Sequence, residues 1–470
     1  MAAAHRLTEL APEMSVSLFE ASDRLGGVVR TVYQDGYVIE GASDMFTTKE
    51  PWAVDLCRRI GFLDQLIETN EGQRRAFVVH RGRLQPVPDG FTLMTPVKVW
   101  PVVTTPLLSL WGKARLACEL FVPRRRDPAD ESLADFTRRR MGNETYERLV
   151  QPLISSIYTA DPTKLSMQAA LPQFFAMERK YGSLTWGMRR VARAKQPEAE
   201  GTGARYSLFV SARDGLGTFV DALASRLPPG CTRLQSAVRQ LRKTSTGQWE
   251  LVTDPPSPPE TFDAVIIATP AHRTAELLQP LDQQLAEEVG GVHLSGVAIV
   301  VLGYQRSQIR HPLDGFGCVI PIVEHRRVLS VSFSSVKFAG RAPAGCVQLR
   351  VFVGGACQPE LADLPDHTLR HMVAEELQEL LGINGDPQLC EIFRWPATMP
   401  QYHVGHLDRV ARIEQRAATL PKLALAGNAY RGVGIPFCIR SGENAAQKIL
   451  QQLAPHKAAN SAPHTPPPQG

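Results

Sequence analysis

Cysteine is sparse and scattered in this sequence. The eight in 470 residues, Cys57, Cys118, Cys231, Cys318, Cys346, Cys357, Cys390 and Cys438, form no CxxC pair and show no histidine spacing of a zinc site. That leaves no metal site to propose and makes reduced core thiols the expectation. No stretch reaches the roughly 18 consecutive apolar residues of a membrane-spanning helix. The N-terminus lacks the basic segment, apolar run and small-residue cleavage site of a secretory signal. A cytoplasmic protein is expected, with peripheral membrane association left open. An excess of one charge is also missing: 52 basic residues stand against 47 acidic ones, and arginines run three together only at Arg124, Arg125, Arg126 and Arg138, Arg139, Arg140. Nucleic acid is therefore not an expected partner. No internal repeat is present.

What remains is a chain longer than the roughly 250–300 residues at which single cores stop growing, so more than one domain is expected. MAAAHRLTEL reads as helix, Pro12 breaks it, and SVSLFE reads as a short strand. A helix is expected from Trp52 to Ile60, with Pro51 at its start and Gly61 at its end. FVVHRGRLQPV, residues 77–87, reads as a hairpin turning at Arg81 and Gly82. Residues 91–122 are apolar and interrupted by proline, and three arginines close them. Either an in-plane membrane contact or a packed helix pair would fit that segment. The run AVIIA, residues 264–268, suits a strand buried on both faces, and residues 423–450 read as strand, loop and helix.

The candidate chemistry sits at the two ends of the chain. Glu20 ends SVSLFE, where a carboxylate in a dinucleotide fold accepts from ribose hydroxyls. The RLGG that follows places Gly26 and Gly27 where backbone could approach a diphosphate, with Arg24 and Arg30 as charge donors. Late in the chain, AGNAYRGVGIPFCIRSGENAA carries Gly427, Gly432 and Gly434 ahead of a helix, a second loop able to bring backbone N–H groups to a ligand. A plain turn and a small-residue packing face are the bland readings of these loops.

Taken in order, LFEASDRLGGVVRT, EGASDMF, DAVIIATP, RWPATMPQY and AYRGVGIPFCI resemble the flavin-containing amine oxidase superfamily, and within it the protoporphyrinogen and coproporphyrinogen oxidases. The resemblance implies an α/β fold: an FAD-binding Rossmann-like domain with its first strand absent, an α+β substrate domain and a helical insert. It implies that Glu20 and Ala21 hold the adenosine ribose. Val28 and the turn Gly41, Ala42, Ser43 and Asp44 would line the flavin, and Val238 would offer backbone to adenine. Trp395, Val433, Gly434 and Ile435 would flank the isoalloxazine ring. Gly315, Phe316, Val319 and Phe352 would wall the porphyrinogen pocket, because a flat macrocycle needs apolar and aromatic sides. The implied reaction is a six-electron oxidation with FAD as cofactor and dioxygen as acceptor, in haem synthesis, with no catalytic side chain assigned.

Relatives begin with a strand and a GxGxxG loop before the helix that AAAHRL matches, so one strand and that loop are expected upstream of Met1. Phe437 stands where relatives commonly carry Asp. The expected divisions are 1–85, 205–290 and 416–453 for FAD binding, 86–204 for the insert, 291–415 for the substrate domain, and 454–470 as a disordered tail. An amine oxidase, a carotenoid desaturase and an inactive relic are the alternatives. A homodimer is left open.

Overall fold

The computed structural model describes residues 1–454 except 97, 99, 128, 195–207 and 257. The polar loop expected at 196–204 and the tail expected from 455 onward lie outside the described residues.

A seven-stranded sheet organises the middle of the molecule, in the order Leu389–Pro400, Leu294–Gln305, Cys346–Gly354, Ser330–Phe333, Gly317–Val319, Phe77–His80 and Arg83–Pro86. The last two strands form the expected hairpin, with Arg81 (φ 51°) and Gly82 (φ 69°) both left-handed at its turn. The hairpin belongs to this sheet. Its Phe77 and Val78 pair in parallel with Cys318 and Val319, which extends the sheet by two strands.

Because side chains alternate along a strand, the sheet has two unlike faces. On one face Ala298, Val300, Leu302, Val331, Phe333, Leu349, Val351 and Val353 pack with Leu369, Val373 and Leu377 of the helix Asp366–Leu381. The register puts the other set side by side: Trp395 is opposite Val297, Phe352 and Phe393 are opposite Ile299, and Arg350 is opposite Val301. At one end this second face meets Tyr37, Ile39 and Ala42 from the start of the chain. At its other end Val78 and Val319 join the core of the helical region, with Leu133, Phe136, Tyr146, Ile154 and Phe174.

The nucleotide-type strands are short parallel pairs. Leu18–Phe19 pairs with Thr232–Arg233, and Val265–Ile267 pairs with Leu423–Leu425. SVSLFE is thus strand only at its Leu-Phe core. Val265 and Ile266 are half-buried rather than sealed on both faces, since one strand pairs with them. The helix Ile435–Leu453 starts with Pro436 in its first turn and packs on the helix Ala2–Leu10. A Cβ at Gly442 would lie 3.1 Å from the Ala3 nitrogen, so this approach depends on small residues from both helices. All eight cysteines are free, and Cys118, at the start of a 3-10 turn, and Cys357 are exposed, which corrects their reading as core thiols. Among the described residues no helix is long and apolar enough to cross a membrane, and no group of three or more His, Cys, Asp or Glu could hold a metal.

Candidate active site

The first loop closes on itself. Glu20 accepts from the Ser22 backbone and hydroxyl through Oε1, both at 2.9 Å, so its second oxygen has no partner among the described residues. Its carbonyl accepts from Ser236 N and the Ser22 carbonyl from Gln235 N, which brings the backbone just ahead of Val238 against this turn. Arg24 is tied into the loop that it belongs to. Its guanidinium donates to the carbonyls of Leu25, Gly27 and Val29 and staples the RLGG loop, a use the sequence pattern could not distinguish. Arg30 lies with its guanidinium carbon 5.6 Å from the Phe393 ring centroid. Ala21, Gly27 and Val28 are exposed beside it.

The second loop is braced from below. Tyr402 Oη donates to the Asn428 carbonyl at 2.5 Å and accepts from Gly432 N at 2.8 Å, spanning the loop just before Val433 and Gly434. His406 stacks on the Tyr402 ring, 4.0 Å between centroids, and its Nε2 bonds the Tyr430 carbonyl at 2.9 Å. Burial holds the His406 imidazole below its ordinary range, so it is neutral and serves as a donor. Ser441 Oγ accepts from Gly427 N at 3.0 Å and ties the loop to the helix that Ile435 begins. Phe437 packs at 5.4 Å on the Trp52 ring and fills the space a Cβ on Gly432 would need, 2.4 Å away. Phe437 is therefore a packing residue, which accounts for an apolar side chain there.

Between the loops, Trp395 donates its indole N–H to the Gly41 carbonyl at 2.7 Å, and Ala42, Val297, Phe352 and Trp395 pack into one apolar wall. Val319 and Val433 line the adjoining helical core. Phe316 and Gly315 stand apart from this wall: Phe316 is 4% exposed, and a Cβ on Gly315 would meet the Phe77 ring at 2.6 Å on the helix-covered side of the sheet.

Behind the Gly41–Asp44 turn lies a polar cluster that the sequence reading missed. Asp44 pairs with Lys337 at 2.5 Å and Arg350 at 3.0 Å, and Arg350 also donates to the Ala42 carbonyl. Burial works to raise the Asp44 carboxyl, but the Lys337 ammonium and the Arg350 guanidinium outweigh it and hold the group well below the carboxylate range. Arg341 donates to Ser211 Oγ and to the carbonyls of Ala212 and Arg213, and Ser211 Oγ donates to the Asp44 carbonyl. Glu40 accepts from Leu216 N at 2.7 Å and Thr31 Oγ1 at 2.8 Å. The available signal was a charged residue inside the otherwise uncharged strand CVQLRVFVG.

The residues present fit a flavin dinucleotide. Gly27 (φ +58°) and Gly427 (φ +116°) each present open backbone, with nothing within 4 Å of a built Cβ. They stand in loops that also offer a free carboxylate oxygen and a helix N-terminus.

The model of the flavin containing amine oxidoreductase family matches residues 1–450. A coproporphyrinogen III oxidase of Bacillus subtilis (strain 168) is 32% identical over 94% of this chain and 92% of its own length. A chloroplastic protoporphyrinogen oxidase of Nicotiana tabacum is 29% identical over 93% of this chain and 81% of its own. A crystal structure from Exiguobacterium sp. 255-15, described as a protoporphyrinogen oxidase, superposes with a TM-score of 0.85 at 29% identity, covering 96% of both chains.

Proposed function

The chain belongs to the flavin containing amine oxidoreductase family, and from that premise we propose that it is an FAD-dependent oxidase that aromatises a porphyrinogen in haem synthesis. Coproporphyrinogen III is the substrate we favour, since the bacterial oxidase named for it shares more identity and more of its length than the plant protoporphyrinogen oxidase does. The observation that carries the reading is the apolar wall of Val297, Phe352 and Trp395 fixed against the Gly41–Asp44 turn by the Trp395 indole. The broad apolar face of a tetrapyrrole ring, with its propionates at the rim, fits such a wall.

In this reading Glu20, Ala21 and the backbone at Val238 hold the adenosine end. The glycine loops at Gly26, Gly27 and Gly427 face the diphosphate. Val28, the 41–44 turn, Trp395, Val433, Gly434 and Ile435 border the flavin ring. Bound FAD supplies hydride acceptance from a substrate C–H and reoxidation by dioxygen, which releases hydrogen peroxide. The chain itself orients and desolvates: Val319 and Phe352 press the macrocycle toward the flavin-side turn, and the helical core excludes water. No side chain is needed as a base. Asp44 is committed to two cations, and His406 already donates to a carbonyl. Steady-state rates with coproporphyrinogen III and protoporphyrinogen IX, read by porphyrin fluorescence and peroxide yield, test this. A higher kcat/KM for coproporphyrinogen III is expected; the reverse order would overturn the substrate choice.

A peripheral membrane contact is part of the same proposal. Trp100, Leu110, Trp111 and Phe121 are between 74% and 86% exposed, and Lys113, Arg124 and Arg126 flank them. Exposed aromatic and leucine side chains beside cations suit the interface of an anionic bilayer. Cosedimentation with phosphatidylglycerol vesicles is expected, and Trp111→Ser should reduce it several-fold. A concentration-dependent dimer without vesicle binding would assign this surface to self-association instead.

A further inference from the structure

Five ionisable residues are buried behind the Gly41–Asp44 turn, and their charges do not balance. Lys337, Arg341 and Arg350 are 5%, 1% and 1% exposed, against Glu40 and Asp44 at 1% and 8%. The Nε atoms of Arg341 and Arg350 are buried without a hydrogen-bond partner. A surplus cation in a dry site is costly, so an arrangement that keeps one calls for a function or an anionic neighbour. Arg350 is the member that reaches both structures of interest. One guanidinium holds the Ala42 carbonyl and the Asp44 carboxylate. Its carbon also lies 5.2 Å from the ring centroid of Phe352, two residues along the same strand and on the same face. Trp395 fixes the Gly41 carbonyl of the same turn from the neighbouring side.

We propose that Arg350 is a positioning residue that ties the flavin-bordering turn to the substrate-facing wall and supplies the surplus positive charge that favours reduced over oxidised flavin. The inference rests on the functional reading above. Two functions are separable in one side chain: charge, which lysine would keep, and the bridge from Ala42 to Asp44, which a single ammonium cannot span in the same geometry.

The test compares the FAD-loaded wild type with Arg350→Lys and Arg350→Met. It uses three readouts: FAD dissociation constant, oxidised-to-reduced flavin ratio at a fixed dye potential, and kcat and KM per bound flavin with coproporphyrinogen III. Arg350→Met is expected to move the flavin ratio at least tenfold toward the oxidised form and to lower kcat about tenfold, with KM within twofold. Arg350→Lys should restore most of the flavin ratio while leaving FAD affinity and kcat at least fivefold below wild type. If Arg350→Met does not fold, Arg350→Lys decides by itself: wild-type FAD affinity and kcat in that variant overturn the proposal. Variants that only melt earlier, with flavin ratio and kcat per bound flavin unchanged, show a structural role and overturn it too. If the wild type binds FAD but oxidises no porphyrinogen, the functional reading falls, and the FAD affinity and flavin ratio still decide the role of Arg350.

Discussion

Two buried clusters of cations and carboxylates in this molecule are finished differently. In the helical region Arg140, fully buried, donates to Glu119, Glu178 and the carbonyls of Val122 and Gly182, and each of its three nitrogens is partnered. Arg139 bridges Glu131 and Glu178, and Arg125 reaches Asp127 at 2.9 Å and Glu131 at 3.6 Å, so the three cations are matched by four carboxylates and none is in surplus. Glu119 also accepts from Ser183 Oγ and from the amides of Leu184 and Thr185, which caps the helix Leu184–Ala194. The cluster behind the Gly41–Asp44 turn has three cations for two carboxylates and two arginine Nε atoms left over. A saturated cluster pins helices together and has nothing left to give a ligand. One with spare donors and surplus charge is held ready for something outside itself.

The comparison breaks first at the saturated cluster. Arg140→Met should cost about 3–5 kcal/mol, because Glu119 and Glu178 stay buried without their partner. Chemical denaturation would show this, while the FAD affinity of the protein that remains folded should not change. Lys337→Met removes one of the two cations on Asp44 and leaves it with Arg350, so the stability loss should be smaller, about 1–3 kcal/mol. FAD titration should nevertheless show weaker binding, the reverse of the Arg140 result. Equal effects of the two substitutions on FAD would erase the distinction.

Tyr402→Phe sharpens the picture on the other side of the site. Losing the strut between Asn428 and Gly432 should cost about 1 kcal/mol, roughly fivefold in FAD retention, measured by release on dilution. The smallest effect concerns pH. Asp44 and Glu119 should stay ionised through neutrality, since both are held below the carboxylate range, whereas burial pushes the Glu40 carboxyl up and the Lys337 ammonium down. For Asp44 and Glu119, burial opposes ionisation and is outweighed by cations or hydrogen bonds. His406 is different: its folded pKa lies below the unfolded value of 6.5. Its contribution is therefore complete above that pH and is lost as pH falls toward the folded value. Stability should therefore fall as pH drops from 7 through 6, and the slope should flatten in His406→Asn.

Much of the fold was legible because its signals are local. The helix at Pro51–Ile60, the Arg81-Gly82 hairpin turn and the strand-loop-helix at the end of the chain follow from caps, glycines and periodicity. The two glycine loops were legible for the same reason. Partners distant in sequence were not. Arg24 could not be seen to fold back on its own loop, and the hairpin could not be seen to join the central sheet. That Phe316 is buried, and that Gly315 lies close against the Phe77 ring, rests on the distant pairing of two strands that no local pattern reports. The Asp44, Lys337 and Arg350 cluster joins residues about 300 apart, and no spacing rule reaches that far.

The most direct test of the account is a single anaerobic mixing of the FAD-loaded chain with coproporphyrinogen III, followed at the oxidised-flavin absorbance band. The account predicts that the band bleaches by one two-electron reduction per bound FAD and returns with hydrogen peroxide when dioxygen is admitted. A band left unchanged by either porphyrinogen, but bleached by a small amine, would contradict it.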